Sequence, residues 1–152
     1  ELINDSVQAM DALITKAKAQ VNLHLNNDDC QILANKNALA GAIQNLIHNA
    51  LQAASVAKSE PAIINIQVYV EQSSVFIGVQ DNGPGIDAVI IDKIFEPFYT
   101  SSSKGTGLGL AVVKSVLEAH QGEVSYLSQA GQGAHFCLKL PLLAKTKLGE
   151  AK

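Results

Sequence analysis

A strand-like stretch that ends in a carboxylate decides the fold, and it reads Ser74-Val75-Phe76-Ile77-Gly78-Val79-Gln80-Asp81-Asn82-Gly83-Pro84-Gly85-Ile86. Its alternation predicts that the Asp81 carboxylate closes a buried apolar row. That row consists of Val75, Ile77 and Val79. The Asn82-Gly83 pair is typical of a hairpin turn, but the residues after Gly85 do not alternate as a returning strand would. A plain hairpin and a turn built around the aspartate both remain open.

A carboxylate on a buried face is costly unless it accepts hydrogen bonds. An exocyclic amino group, such as that of adenine, would supply one to Asp81. Gly83 and Gly85 would let the backbone approach a base closely, because they lack side chains. Asp81 is therefore a candidate base-binding residue.

Periodicity predicts the elements on both sides of this turn. Apolar spacing predicts an amphipathic helix over residues 1–18 and a longer helix that Asn35 or Asn37 caps and that ends near residue 57. The buried stripe of the long helix consists of Leu39, Ile43, Leu46, Ile47, Ala50 and Ala54. The other predictions are short strands at 21–25 and 31–34, two strands at 64–70 and 75–81, a short helix at 87–94, a helix at 106–120, a hairpin of strands at 124–128 and 134–140, and a frayed tail at 142–152.

Composition narrows the class of protein. The chain has 152 residues, of which 47% are hydrophobic and 16% charged, as expected for one domain with a single core. No apolar run approaches the roughly 18 residues that span a bilayer, and the first residues lack the basic region of a signal peptide. Cys30 and Cys137 fit reduced thiols better than a disulfide scaffold. We expect one cytoplasmic domain over residues 1–152 that makes no membrane contact.

The charge argues against a nucleic-acid partner. The net charge is −3, and all 11 basic residues are lysines, scattered along the chain. Proteins that bind nucleic acids normally carry a basic stripe, often rich in arginine. We therefore expect no nucleic acid among the partners.

Two asparagines lie one turn apart on the predicted long helix. Asn45 and Asn49 project side by side at the border of the apolar stripe. A carboxamide oxygen is a good single ligand for a magnesium ion that phosphates hold mainly, whereas two solvated asparagines are the more ordinary interpretation. The pair alone does not decide between these interpretations.

A glycine-rich loop runs into the last predicted helix, and it reads Lys104-Gly105-Thr106-Gly107-Leu108-Gly109-Leu110. Unpaired backbone N–H groups at the positive end of a helix suit a triphosphate. The spacing is neither that of a P-loop nor that of a dinucleotide fingerprint. The alternative is a flexible glycine linker.

Two further segments complete a pattern, Phe95-Glu96-Pro97-Phe98-Tyr99-Thr100 and Gly131-Gln132-Gly133-Ala134-His135-Phe136. In this order and at these spacings, the motifs resemble the N, G1, F, G2 and G3 boxes of the ATP-binding catalytic domain of sensor histidine kinases. That domain belongs to the superfamily of gyrase, heat-shock chaperone, histidine kinase and mismatch-repair ATPases. The resemblance covers about residues 32–140, and the loop wording is most similar to kinases of the nitrogen-regulation and flagellar-regulation type.

The resemblance implies an α/β two-layer sandwich of the Bergerat type, with a mixed sheet of about five strands and three helices on one face. ATP is expected between the helices and a lid at residues 96–105, with Phe95 and Phe98 as the hinge of the lid. Asn49 resembles the magnesium ligand, with Asn45 and Lys104 beside it in the catalytic set. The implied ATP-binding residues are Asn45, Asn49, Asp81, Gly83, Gly85, Ile86, Phe95, Phe98, Gly105, Thr106, Gly107, Leu108, Gly109 and Leu110.

The sequence departs from the family pattern in three places. Ser102 stands where many relatives have a lysine, and Lys104 comes two residues later. Gln121 replaces the first glycine of a His-Gly-Gly motif. No phosphoacceptor motif is present, so each histidine is predicted to be a surface or structural residue. The histidines are His24, His48, His120 and His135.

The resemblance thus implies the catalytic half of a kinase. The helix at residues 1–18 would connect it to the other half. We expect the domain to bind Mg-ATP and to donate the γ-phosphoryl group to a histidine on a separate dimerisation domain of the same full-length kinase, with a response regulator downstream. The isolated domain should be a monomer and the full-length kinase a homodimer. The alternatives are an anti-sigma-type serine kinase and a non-catalytic nucleotide-binding regulatory module.

Overall fold

The computed structural model describes residues 1–25, 31–56, 61–99, 109–127 and 133–143. Within these ranges the chain forms four α-helices, five strands and one short 3₁₀ helix. In chain order they are α1 (Leu2–Ala9), α2 (Asp11–Lys16), β1 (Gln20–His24), α3 (Lys36–Val56), β2 (Ile63–Glu71), β3 (Ser74–Asp81), the 3₁₀ helix (Ile91–Lys93), α4 (Gly109–Ala119), β4 (Glu123–Tyr126) and β5 (His135–Pro141).

The strands form one mixed sheet in the order β1-β2-β3-β5-β4. The β1 and β2 strands are parallel, and the other neighbouring pairs are antiparallel. The register of β3 and β5 pairs Val79 with Phe136 and Gln80 with His135. The end of β3, where Asp81 lies, therefore meets the beginning of β5.

A layer of helices covers one face of this sheet. The α3 helix packs against α1, α4 and the two strands β2 and β3. Every residue of its predicted apolar stripe is buried. The stripe meets Ile64 and Ile66 of β2 and Val113 and Leu117 of α4 in a single core. This two-layer arrangement confirms the predicted fold class, and the core holds α3 rigidly against the sheet.

One hydrogen bond joins the beginning of α3 to the end of α4, and a local contact supports it at each end. The Asn35 side chain caps α3 by accepting a hydrogen bond of 3.0 Å from the Ala38 amide. The Asn35 amide donates to His120 Nε2 over 2.9 Å, and His120 Nδ1 lies 2.7 Å from the Val116 carbonyl oxygen. His120 is thus a structural residue, as predicted, because its ring fastens the end of α4 to the beginning of α3.

The single helix predicted over residues 1–18 is wrong in one respect. The chain leaves helical geometry at Met10, which has φ −97° and ψ 5°, so that two short helices form. Met10 itself is buried, whereas α2 buries none of its residues. Apolar spacing continues across the break, and periodicity therefore does not reveal it.

Two other short elements differ from the predictions. Residues 31–34 form no strand, and Leu33 among them is 83% exposed. The helix predicted over 87–94 shrinks to the 3₁₀ helix. Both stretches are short, and short apolar runs do not distinguish a strand or helix from an irregular segment.

The ends of the predicted elements are described only in part. Leu142 and Leu143, the first residues of the predicted tail, donate backbone hydrogen bonds to Ser73 and Gln31, and residues 144–152 lie outside the described ranges. Cys30 also lies outside them, whereas Cys137 is a buried free thiol. None of the helices within the described ranges is long and apolar enough to cross a membrane.

Candidate functional site

Asp81 ends β3 with its side chain on the helix-covered face, as predicted, and is only 6% exposed. Its Oδ1 atom accepts hydrogen bonds from the Gly83 amide at 2.8 Å and the Ala134 amide at 3.1 Å. Burial raises the pKa of the Asp81 carboxyl, and these two N–H groups oppose that rise only in part. Among the described residues no group donates to Oδ2, which leaves this oxygen ready for a donor from outside the protein.

The turn after Asp81 is fixed to its surroundings at several points. The Asn82 side chain accepts from the Ile63 amide at 3.0 Å and donates to the Pro61 carbonyl at 2.9 Å. Gly83 lies so close to α3 that an added Cβ would stand 2.9 Å from the backbone of Ala53. A residue with a side chain would therefore push this turn away from the helix.

Two glycines beside Asp81 adopt backbone conformations that favour glycine. Gly85 has φ +80°, in the region that favours glycine. Gly133 has φ +73°, and a Cβ there would overlap the backbone and carboxylate oxygens of Asp81. Both glycines therefore let the backbone close around the aspartate.

Tyr126 contributes a contact that the sequence analysis missed. Its hydroxyl accepts a hydrogen bond of 2.9 Å from the Ile86 amide, the residue that follows the glycine turn. The Tyr126 ring packs edge-to-face on Phe136 with 5.2 Å between ring centroids. One signal was present, because alternation places Tyr126 on the core face of its strand, where a hydroxyl needs a partner.

Asn45 and Asn49 lie one turn apart on α3, both half-buried. The Asn45 Nδ2 atom is 3.4 Å from the Gly109 carbonyl oxygen at the start of α4, which is long for a hydrogen bond. Within the described ranges, no hydrogen bond holds the Asn49 side chain. Its carboxamide oxygen is therefore available to a ligand in the cleft.

The two phenylalanines predicted as the lid hinge differ in their environments. Phe95 is half-buried and packs edge-to-face on Phe136, with 6.1 Å between ring centroids. Phe98 is 74% exposed and has φ +67°, a backbone conformation that costs energy for a residue with a side chain. The structure therefore anchors Phe95 in the aromatic cluster and leaves Phe98 at the surface.

Most of the predicted phosphate loop is not described. Lys104, Gly105, Thr106, Gly107 and Leu108 lie outside the described residues. The last two positions, Gly109 and Leu110, are the first residues of α4, and the Leu110 side chain packs against the core. A helix therefore begins where the resemblance places the end of the loop.

The other histidines stand apart from these residues. His24 and His48 are exposed. His135 is half-buried on the opposite face of the sheet, where a Cβ on Gly78 would stand 2.9 Å from its Nε2 atom. Burial lowers the pKa of the His135 imidazole.

The α3 helix brings the separated motifs to one side of the molecule. Asn45 contacts Gly109, and Ala53, two turns further along α3, contacts Gly83. Eight helical residues span about 12 Å, and Asn49 stands halfway between these contacts. The arrangement places a carboxylate acceptor at one end and the first residues of α4 at the other, where the amide groups of a helix N-terminus suit phosphates.

Comparisons with known proteins agree with this geometry. A family described as histidine kinase-, DNA gyrase B-, and HSP90-like ATPase matches residues 34–144. The sensor histidine kinase ZraS of Escherichia coli K12 is 36% identical over 141 residues, which cover 93% of this chain and 30% of ZraS. The sensor protein kinase FleS of Pseudomonas aeruginosa is 40% identical over 119 residues, or 78% of this chain and 28% of FleS. The chain therefore spans less than a third of either relative.

A solved structure is also similar. The catalytic domain of histidine kinase ThkA, in a nucleotide-free form, superimposes with a TM-score of 0.81 at 27% identity, over 92% of this chain and 90% of that domain. The similarity confirms the predicted fold over nearly the whole chain. With the family match extending over most of its residues, the chain belongs to the histidine kinase-, DNA gyrase B- and HSP90-like ATPases.

Proposed function

We propose that this chain is the catalytic domain of a sensor histidine kinase, which binds Mg-ATP and donates the γ-phosphoryl group to a histidine on the dimerisation domain of the same full-length kinase. That domain then passes the group to an aspartate of a response regulator. The similarity to ZraS and FleS, both named sensor kinases, supports this proposal. The single observation that carries it is the buried Asp81 carboxylate, whose Oδ2 has no donor among the described residues and which lies beside the helix that bears Asn45 and Asn49.

Asp81 binds the adenine base in this proposal. Its Oδ2 accepts from the exocyclic amino group, while Oδ1 stays occupied by the Gly83 and Ala134 amides. A guanine base presents a carbonyl oxygen at the corresponding position and would face the carboxylate with an acceptor. Gly83, Gly85 and Ile86 shape the surface against which the base lies.

Asn49 is the proposed magnesium ligand at the other end of the site. Its carboxamide is half-buried and has no hydrogen-bond partner among the described residues, which fits an ion that keeps most of its ligands from phosphates and water. When bound, the ion supplies charge neutralisation to the phosphates. Asn45 and Lys104 complete the proposed catalytic set, and Phe95 and Phe98 form the proposed hinge of the lid at 96–105. The phosphates lie on the backbone of the loop that ends at the N-terminus of α4, through Gly105, Thr106, Gly107, Leu108, Gly109 and Leu110.

Water is a poor nucleophile in this site. Asn45 stands one turn before Asn49, and a carboxamide cannot remove a proton at neutral pH. Positioning and charge neutralisation remain, and these are most of what phosphoryl transfer needs. The chain should therefore hold ATP with little hydrolysis until an acceptor histidine arrives.

The surroundings of the domain follow from the same proposal. The domain works in the cytoplasm, without membrane or nucleic-acid contact of its own. It is a monomer when isolated, and it functions within a homodimeric full-length kinase. Its subgroup is the nitrogen-regulation and flagellar-regulation type.

A transfer assay tests the proposal. The chain is incubated with Mg-ATP labelled in the γ-phosphate, with and without a matching dimerisation domain supplied in trans. We expect little hydrolysis and no label on the chain alone, and label on the added domain that is stable to alkali and labile to acid. Replacing the acceptor histidine by glutamine, or making Asn49→Ala, should remove that label.

Other outcomes would replace the proposal. Acid-stable label on a partner serine would favour the anti-sigma-type kinase. Rapid ATP hydrolysis by the chain alone, lost in Asn45→Ala, would indicate an ATPase. Tight ATP binding without transfer to any acceptor would leave a regulatory nucleotide-binding module.

A further inference from the structure

We propose that Tyr126 is a positioning residue for the nucleotide base, because its hydroxyl holds the turn from Asp81 to Ile86 in the shape that receives adenine. The inference deepens the proposed function and rests on the adenine role of Asp81. Tyr126 lies on β4, 40 residues along the chain from Ile86, and it belongs to none of the sequence motifs.

The contact joins a rigid part of the molecule to an irregular one. Tyr126 pairs with Phe136 in the β4–β5 ladder, and Phe136 is buried in the core. Packing of the two rings restricts the Tyr126 side chain, so the hydroxyl has a defined position. The Ile86 amide, in contrast, follows a turn that contains Pro84 and a glycine at positive φ. The hydrogen bond therefore holds the end of the turn in a fixed position relative to the sheet.

The same hairpin holds the beginning of the turn. The Ala134 amide donates to Asp81 Oδ1, and the Asp81 amide donates to the Ala134 carbonyl at 3.0 Å. A Cβ on Gly85 would stand 3.4 Å from the Gly133 carbonyl and 3.7 Å from the Tyr126 hydroxyl. Asp81 and Ile86, the two ends of the proposed base-binding turn, thus both bond to the neighbouring ends of β4 and β5, where β4 stops and β5 begins.

Loss of the Tyr126 hydroxyl should lower the affinity for adenine, because fewer molecules then hold the turn from Asp81 to Ile86 in the shape that binds the base. Without its acceptor, the Ile86 amide is free to turn towards water, and a base then selects the fraction of molecules that keep the binding shape. A neutral hydrogen bond contributes enough to change that fraction about three- to tenfold. The loss should affect every ligand that carries adenine and should leave the interactions of the phosphates unchanged.

Tyr126→Phe removes the hydroxyl and keeps the ring on Phe136. We expect the affinity for adenosine and the affinity for Mg-ATP to fall by the same factor, about three- to tenfold. In the transfer assay the KM for ATP should rise by that factor while kcat stays unchanged. Tyr69→Phe is the matched control, because Tyr69 stacks on Phe76 on the other face of the sheet and loses the same atom there. It should leave both affinities unchanged.

Asp81→Asn separates the failure of this inference from failure of the proposed base site. If Asp81→Asn weakens adenosine binding and Tyr126→Phe does not, Tyr126 has no positioning role, although the base site stands. If neither variant weakens it, adenine does not bind at Asp81. A fall in kcat without a change in KM for Tyr126→Phe would also contradict the inference.

Amide exchange of Ile86 gives a second test, whose first part uses the unaltered protein alone. The hydrogen bond predicts that this amide exchanges slowly in the absence of nucleotide, and that it loses protection in Tyr126→Phe but not in Tyr69→Phe. Exchange of Ile86 at the rate of an unprotected amide in the unaltered protein would overturn the inference.

Discussion

The two ends of the proposed nucleotide site are built in different ways. At the base end, Asp81, Asn82 and Ile86 take part in hydrogen bonds of 2.8 to 3.1 Å with neighbouring strands and turns. At the phosphate end, the described residues supply a single polar contact of 3.4 Å between Asn45 and Gly109. Among the described residues, the polar groups of the base end therefore bond to one another, whereas no described residue bonds to the Asn49 side chain.

This difference indicates a division of labour. A base end that is already formed would bind its ligand without first ordering the turn, so we expect affinity and base selectivity to come from this end. Phosphoryl transfer instead depends on groups that meet the phosphates and the metal ion. Substitutions at the base end should therefore change binding alone, whereas substitutions at the phosphate end should change the reaction as well as the affinity for Mg-ATP.

Gly133→Ala should have the largest effect. The positive φ and the overlap of the new Cβ with Asp81 should cost about 3 kcal/mol of unfolding free energy and abolish adenosine binding. Gly109→Ala is the matched control at the phosphate end, because no described residue lies within 4 Å of its Cβ position. Its unfolding free energy should stay within about 0.5 kcal/mol of the original. Urea denaturation measures both, and equal losses would mean that the base end is no more constrained than the phosphate end.

Asp81→Asn should weaken adenosine and ATP binding next most strongly. It removes a charge-assisted hydrogen bond of about 1.5–3 kcal/mol, which corresponds to roughly ten- to a hundredfold in affinity. Calorimetric titration with ATP, adenosine and GTP measures the loss and the selectivity. An unchanged affinity in a folded variant would exclude Asp81 from base binding.

Comparison with Asp81→Asn should also reveal how the contribution of Asp81 to stability depends on pH. Burial raises the pKa of Asp81 in the folded state, so its favourable contribution to folding is complete below the unfolded-state pKa and is lost as pH rises through the folded-state pKa. The unfolding free energy of the original protein, relative to Asp81→Asn, should therefore fall as pH rises through the acidic range above the ordinary pKa of aspartate. A difference that rises with pH there would mean that the carboxylate is stabilised, rather than strained, before the base binds.

Asn49→Ala should remove the magnesium-dependent part of ATP affinity and leave adenosine binding unchanged. Loss of one neutral ligand to the ion should cost about tenfold in affinity for Mg-ATP. Titrations with and without magnesium measure this part separately. If adenosine binding fell as well, the two ends would not be independent.

His120 variants should have the smallest effect, because His120 lies at the far end of α4 from Gly109. His120→Phe removes the acceptor of the Asn35 amide and should cost about 0.5–1.5 kcal/mol of unfolding free energy. His120→Gln offers an oxygen near the position of Nε2 and should recover part of that loss. Adenosine affinity should stay the same in both variants. A loss of adenosine affinity would mean that base binding also depends on the contact between the end of α4 and the beginning of α3.

Local patterns in the sequence predicted much of this arrangement. Periodicity located the long helix and its buried stripe, and alternation placed Asp81 on the covered face of β3. Those inferences depend on residues a few positions apart. Tyr126 escaped notice because its partner is 40 residues away, and only the packing of the hairpin against the turn brings the two together. Periodicity did not predict the break at Met10, because the apolar spacing continues unchanged from the first helix into the second.

The remaining predictions of the site depend on the ligand. Asn45 and Asn49 are half-buried on α3, and their predicted roles depend on phosphates and a metal ion. Lys104 and the neighbouring loop positions lie outside the described residues. Local sequence patterns predict which polar groups the protein can offer to a ligand. The role of each group depends on where ATP and the metal ion bind.

The most direct test of the division of labour is the rate of phosphoryl transfer to a supplied dimerisation domain, measured against ATP concentration for the original chain, Asp81→Asn and Asn49→Ala. We expect Asp81→Asn to raise the half-saturating ATP concentration roughly ten- to a hundredfold with its maximal rate unchanged, because the lost contact binds only the base. Asn49→Ala should lower the maximal rate even at saturating ATP. A fall in maximal rate for Asp81→Asn, or a full maximal rate for Asn49→Ala, would contradict the account.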